Sequence, residues 1–222
     1  WPCVSPIPCS MTDMTRDLSR LVIASNNKGK IAEFHDLLAP LGFMPVGQGE
    51  LGVGEAEEPA VTFIENALLK ARHAARETGL PALADDSGLA VDWLGGDPGV
   101  RSARFAGANA SDADNVQLLL ERLRDVPEAR RTAQFHCVLV FLRHAEDPVP
   151  VISHGRWEGR ILEQPRGEGG FGYDPVFLAP EHNCSAAELS REEKSRISHR
   201  GRALRGLMAN LQGPDTLGKP DA

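Results

Sequence analysis

Two long apolar stretches, residues 132–143 (TAQFHCVLVFLR) and 149–162 (VPVISHGRWEGRIL), are separated only by a short polar turn. So short a connection permits antiparallel pairing and forbids a parallel crossover, which needs a dozen or more residues. Residues 20–24 (RLVIA) read differently. They form a short buried-type strand that passes through SNNKGK into apolar residues at helical spacing, Ile31, Phe34, Leu37, Leu38 and Leu41, with Gly42 as the stop. A chain holding both patterns is neither all-helical nor a strict βαβ alternation, so one α/β domain is expected, divided into two lobes. Thr62 and Glu65 form a capping-box pattern that opens a second helix carrying Ile64, Ala67, Leu68, Ala71 and Ala75 and closing near Gly79. Residues 81–84 read as a strand that ends at Asp85. Val116, Leu119, Leu120 and Leu123 mark a third helix, and residues 198–211 a last one. Residues 1–19 are expected to be a disordered arm, 20–212 the domain, and 213–222 a flexible tail.

At 222 residues, with 41% hydrophobic and 25% charged, the chain is long enough to bury a sizeable core. Its net charge of −7 argues against a protein that tracks a phosphate backbone, and no nucleic-acid partner is expected. No apolar run approaches the roughly 20 residues of a membrane helix, so no membrane partner is expected. Cys3, Cys9, Cys137 and Cys184 contain no Cys-x-x-Cys pair, which points to free thiols in a reducing cytoplasm rather than a zinc site. Residues 1–10 have neither a positive charge nor an apolar segment, so they are not expected to be a signal peptide. The natural start is expected at Met11 or Met14.

Three stretches spell phosphate-loop motifs without their context. Residues 47–52 and 167–172 fit Gly-x-Gly-x-x-Gly, but no helix pattern follows either. Residues 213–219 imitate a P-loop in the tail, with Pro220 in place of the hydroxyl residue.

Four other clusters carry chemistry. Ser25, Asn26, Asn27, Lys28, Gly29 and Lys30 lie between a strand and a helix, where free backbone N–H groups and the helix dipole favour an anion. They fit a triphosphate cradle and equally a well-capped, solvated helix start. Asp85, Asp86 and Ser87 follow a buried strand. Adjacent carboxylates there suit a hard cation such as Mg2+, which takes few carboxylates and completes its shell with water and phosphate; a turn or cap role is the alternative. Glu55, Glu57 and Glu58 could add a ligand or form a solvated loop. Phe171, Gly172, Tyr173 and Asp174 put two aromatic rings on a Gly-rich loop, suited to stacking on a planar base or to ordinary packing at a strand edge. Lys194, His199 and Arg200 supply hydrogen-bond donors in a run that reads as a helix start.

SNNKGK, TFIENALLKA, ADDSGLAV, LGGDPGVRSARFAG, GGFGYDPVF and EEKSRISHRG occur here in order, and together they resemble the inosine/xanthosine triphosphate pyrophosphatases, the HAM1-like family. The resemblance spans residues 21–211. It implies an elongated mixed α/β sheet with flanking helices and a central nucleotide cleft, in a homodimer. The implied reaction hydrolyses ITP, dITP and XTP at the α-phosphate, with Mg2+, to the monophosphate and pyrophosphate, keeping deaminated purines out of DNA and RNA. By motif, residues 25–30 match the phosphate loop, Asp86 the proton acceptor and metal ligand, and Ser87 a substrate contact. Glu57 or Glu58 matches the acidic metal position. Phe171, Gly172, Tyr173, Asp174, Lys194, His199 and Arg200 match the base-binding set. Ser25-Asn26-Asn27 stands where many members carry Thr-Gly-Asn, and residues 1–19 have no counterpart. The donors explain the base choice: a 6-oxo purine accepts their hydrogen bonds, whereas the 6-amino group of adenine sets donor against donor. A nucleotide sensor without catalysis, a reader of inosine in nucleic acid and a pyrophosphatase for modified pyrimidine nucleotides are the competing readings.

Overall fold

The computed structural model describes residues 19–39 and 42–211. The expected arm (apart from Ser19), the Met11 or Met14 start, Leu41, the tail and its P-loop look-alike lie outside the described residues. Among the described residues, seven strands form one sheet in the order β2-β1-β3-β4-β5-β6-β7. They are β1 (Arg20–Ile23), β2 (Met44–Gly47), β3 (Ala82–Val91), β4 (Thr132–Leu142), β5 (Val151–Ile161), β6 (Phe177–Ala179) and β7 (Cys184–Ser185). β2, β1 and β3 pair in parallel, and every later pairing is antiparallel. The mixed α/β class expected from the sequence is the one that forms. The pairing order marks no break between two lobes.

The helices are α1 (Lys28–Leu38), α2 (Phe63–Thr78), α3 (Asp112–Arg122), α4 (Arg191–Ile197) and α5 (His199–Leu211). α2 starts at Thr62, whose Oγ accepts from the Glu65 amide at 3.3 Å, and stops at Gly79 in the left-handed conformation, as its sequence signals require. It lays Ala67, Ala71, Ala74 and Ala75 on one sheet face, against Val22, Ala82, Ala84, Val138, Val140 and Leu142. α1 and α5 cover the other face around Phe34, Leu83, Leu139, Phe141, Leu204 and Leu207. Each large side chain buried there contributes about 1.5–3 kcal/mol. β5 alternates strictly, with Ser153, Gly155, Trp157, Gly159 and Ile161 inward. A Cβ on Gly155 would lie 1.9 Å from the His199 carbonyl oxygen, so this glycine lets α5 sit directly on the sheet.

Two elements differ from their sequence reading. The strand expected to stop at Ala84 continues to Val91, because β4 pairs with it over the whole register from Ala82↔Leu142 to Val91↔Ala133. That long partner outweighs the low strand preference of two aspartates. The helix expected at 198–211 is preceded by a separate one, α4, capped by Ser190 and Glu193. Ser198 has an extended ψ of 163°, which breaks the two apart, and its Oγ accepts from the Gly201 amide at 3.3 Å at the start of α5.

Candidate active site

β1 pairs with β3 only through Val22 and Ile23, and the chain then leaves the sheet through residues 25–27 into α1. β3 continues beyond that point, so Asp85, Asp86 and Ser87 lie beside the N-terminus of α1. Asn27 caps α1 by accepting from the Lys30 amide at 3.1 Å, and the Ser25 hydroxyl accepts from the Asn27 amide at 3.2 Å. Asn26 donates to Glu55 at 3.2 Å. Gly29 occupies the exposed first turn, which contains no acidic residue, so the positive end of this helix is uncompensated from within it. Lys28 begins α1; its side chain lies outside the described residues.

Asp85 and Asp86 point to opposite faces of the sheet, as strand alternation demands. Asp85 shares the face of α1 and α5. Its side chain is 1% exposed and receives Lys30 Nζ on both oxygens, at 2.8 and 3.0 Å. Ser87 Oγ donates to it at 2.9 Å, and Arg200 lies 3.9 Å away. Burial alone would raise this carboxyl, but Lys30, Arg200 and Lys70 outweigh it and hold Asp85 well below the usual carboxylate range.

Asp86 faces α2. Burial raises its affinity for a proton, the Lys70 charge and hydrogen bond oppose that, and the Glu58 and Asp85 charges add to it; the net displacement is upward. Lys70 Nζ stands between Asp86 Oδ1, at 2.9 Å, and Glu58 Oε1, at 3.1 Å. Asp86 Oδ2 is buried and has no hydrogen-bond partner among the described residues. Glu58 is the half-buried member of its acidic run and also has Arg104 at 4.0 Å, whereas Glu57 is exposed. Among the described residues no group of three or more His, Cys, Asp or Glu could hold a metal ion. Two carboxylates bridged by an ammonium, with one buried oxygen unsatisfied, nevertheless fit a hard cation that draws its remaining ligands from water and phosphate.

The base-recognition candidates gather beyond Arg200. Phe171 is 53% exposed, and Lys194 Nζ and Arg200 Cζ lie 5.1 and 5.6 Å from its ring centroid. Asp174 accepts from the Phe171 amide at 2.8 Å and pairs with Lys194. Gly170, at φ +75°, leaves room for that carboxylate, since a Cβ there would meet Asp174 Oδ2 at 2.2 Å. Tyr173 is not available for stacking. It is buried in the core beside Val176 and Phe177, and its hydroxyl donates to the Ser102 carbonyl at 2.8 Å. His199 is also buried, stacked 4.8 Å from Phe135, and its Nδ1 has no hydrogen-bond partner among the described residues. Burial, with Arg200 and Lys194 nearby, pushes its pKa well below the ordinary imidazole value, so the ring is neutral.

Two polar residues of this region escape the sequence reading. Lys70 had a visible signal: it shares the buried face of α2 with Ala67, Ala71 and Ala74 at helical spacing, where an isolated lysine needs a partner. Asp112 accepts from the Gly172 amide at 2.7 Å, and nothing in the local sequence announces a contact made 60 residues away.

The model of the Ham1 family matches residues 21–210. A dITP/XTP pyrophosphatase from Salmonella typhimurium (strain LT2) is 59% identical over 195 residues, covering 88% of this chain and 99% of the relative. One from Vibrio parahaemolyticus is 56% identical over 194 residues, covering 87% and 97%. Among solved structures, a HAM1 protein from Coxiella burnetii superposes with a TM-score of 0.83 at 50% identity, covering 86% of this chain and 98% of that one. The Ham1 protein of Staphylococcus aureus gives 0.80 at 41%, covering 87% and 98%. The family match over most of the chain, the sequence identity to these relatives and the shared fold agree, and the chain belongs to the Ham1 family.

Proposed function

We propose that this chain hydrolyses the triphosphates of deaminated purines, dITP, ITP and XTP, to monophosphate and pyrophosphate, so that they do not enter DNA or RNA. The arrangement of the paired aspartates carries this reading: Asp85 is locked to Lys30 beside Arg200, while Asp86 shares Lys70 with Glu58 on the opposite face and keeps one buried oxygen open. Glu58 and Asp86 would hold the divalent cation, read here as Mg2+, and Glu57 would not. When bound, that cation supplies positive charge against the phosphate oxygens. Lys30 and the free amides of α1 orient the phosphate chain, with Ser25, Asn26 and Asn27 shaping the loop. Asp86 orients a water for attack on the α-phosphorus and takes its proton. The bond from that phosphorus to the bridging oxygen of the β-phosphate breaks, and pyrophosphate leaves with the electron pair. Phe171 offers its ring to the base, and Lys194 and Arg200 supply donors for a 6-oxo group. His199 acts through its neutral ring, fixed by Phe135. Tyr173 and Asp174 hold the loop rather than the base. The same proposal takes residues 20–212 as one unit and places a homodimer in the cytoplasm. The described residues include no helix long and apolar enough to cross a membrane.

The test is pyrophosphate release from dITP, XTP, GTP and ATP, with and without Mg2+, for the wild type and Asp86→Asn. Metal-dependent release from dITP and XTP is expected, with discrimination against ATP of up to ~10⁴-fold. Asp86→Asn is expected to lose about 10²–10⁴-fold in turnover while melting cooperatively. Near-wild-type turnover in that variant, or equal release from ATP, would refute the reading.

A further inference from the structure

We infer that Asp112, at the start of α3, is a positioning residue for base recognition: its carboxylate tethers the loop that presents Phe171. This rests on the function proposed above. The N-terminus of α3 is already capped without it. Ser111 Oγ accepts from the Asp114 amide at 3.2 Å, and Asp114 accepts from the Ser111 amide at 2.8 Å. Asp112 Oδ2 instead takes the Gly172 amide at 2.7 Å. Gly172 stands at φ +60° and follows Gly167, Gly169 and Gly170, a run whose conformational freedom makes an untethered loop costly to order on binding.

The tether acts at the residue next to Phe171. The Phe171 amide goes to Asp174 at 2.8 Å, within the loop, and the Gly172 amide goes to Asp112, on a different element. Tyr173 donates to Ser102 at 2.8 Å, so two successive residues of the loop are fixed to segment 102–112. That segment is itself tied to α3. Asn115 of α3 accepts from the Ala106 amide at 2.8 Å and donates to the Ala103 carbonyl at 3.2 Å. Phe171 is thereby placed against Lys194 and Arg200 before any base arrives, which lowers the entropy lost on binding.

The test compares wild type, Asp112→Ala, Asp112→Asn, Phe171→Ala and the Asp112→Ala/Phe171→Ala double variant. Steady-state pyrophosphate release from dITP is measured at saturating Mg2+, together with hydrogen exchange of residues 167–174. Asp112→Ala is expected to lower kcat/KM about tenfold, the order set by one hydrogen bond to a charged group, mainly through KM. Exchange of the loop should quicken in step. Asp112→Asn keeps an acceptor oxygen and should restore both. The double variant should be no worse than Phe171→Ala alone, because the tether works through that ring. Losses that multiply, a fall in kcat at constant KM, or unchanged loop exchange in Asp112→Ala would overturn the inference. A wild type inactive on dITP would refute the proposed function and the specificity role with it, whereas the exchange data would still judge the tether.

Discussion

Asp85→Asn tests the electrostatic core of the site, because it removes one charge and little volume. The wild-type carboxylate is 1% exposed, takes two hydrogen bonds from Lys30 and one from Ser87, and lies 3.9 Å from Arg200. Removing one partner of a buried ion pair costs about 3–5 kcal/mol, chiefly because the other charge is left uncompensated. Lys30 is 21% exposed and can turn partly to water, which places the loss near the lower end, about 3 kcal/mol. At about 2–4 °C per kcal/mol for a chain of this size, the melting midpoint should fall by about 6–12 °C at pH 7. The pH dependence carries the sharper test. The folded carboxyl sits well below its unfolded value, near 3.9, so its contribution is complete above that value and disappears as the pH falls toward the folded pKa. Urea unfolding of both proteins without metal, from pH 7 to pH 3, should therefore show a gap that is constant down to about pH 5 and then narrows. A gap that stays flat to pH 3, or is absent at pH 7, would refute the argument that cations hold Asp85 ionised.

Two further changes probe neighbouring parts. Lys70→Met leaves Glu58 and Asp86 facing each other without the ammonium between them, so Mg2+ should raise the melting temperature of this variant more than that of the wild type; an equal or smaller rise would show that Lys70 does not occupy a cation position. Tyr173→Phe abandons the buried Ser102 carbonyl and should cost about 1–2 kcal/mol in unfolding free energy, leaving the dITP-to-GTP preference unchanged. A changed preference at unchanged stability would return Tyr173 to the base.

The sequence shows those parts of the fold whose cause is local. Thr62, Glu65 and Gly79 define the ends of α2 because cap chemistry involves only the first and last turns. Its limits appear where the cause lies across the sheet. Nothing between Asp85 and Val91 favours a strand as strongly as their seven partners on β4 do. Glu57 and Glu58 are chemically the same, and it is the position of Lys70 and Arg104, on other elements, that sets Glu58 apart. Tyr173 and Phe171 look alike on a Gly-rich loop. Their separation into a core residue and an exposed ring depends on the Ser102 carbonyl, which sequence distance hides.

The paired aspartates show most clearly how the site arises from the fold. Side by side in the chain, they have the same intrinsic acidity, and both are buried. Period-two alternation sends one toward α1 and α5 and the other toward α2. The first face offers Lys30 and Arg200, both available only because β1 ends early and α5 begins where Gly155 admits it. The second pairs Asp86 with Lys70, already shared with Glu58, and among the described residues Asp86 Oδ2 has no hydrogen-bond partner. Burial therefore prevails at Asp86 and loses at Asp85, and the two carboxyls separate in proton affinity without any difference in residue type. Two neighbouring carboxyls of unequal proton affinity follow from strand geometry. Exchanging the roles of the two would require a register shift of the strand, and a one-residue slip would turn Leu83 and Leu89 out of the core they fill.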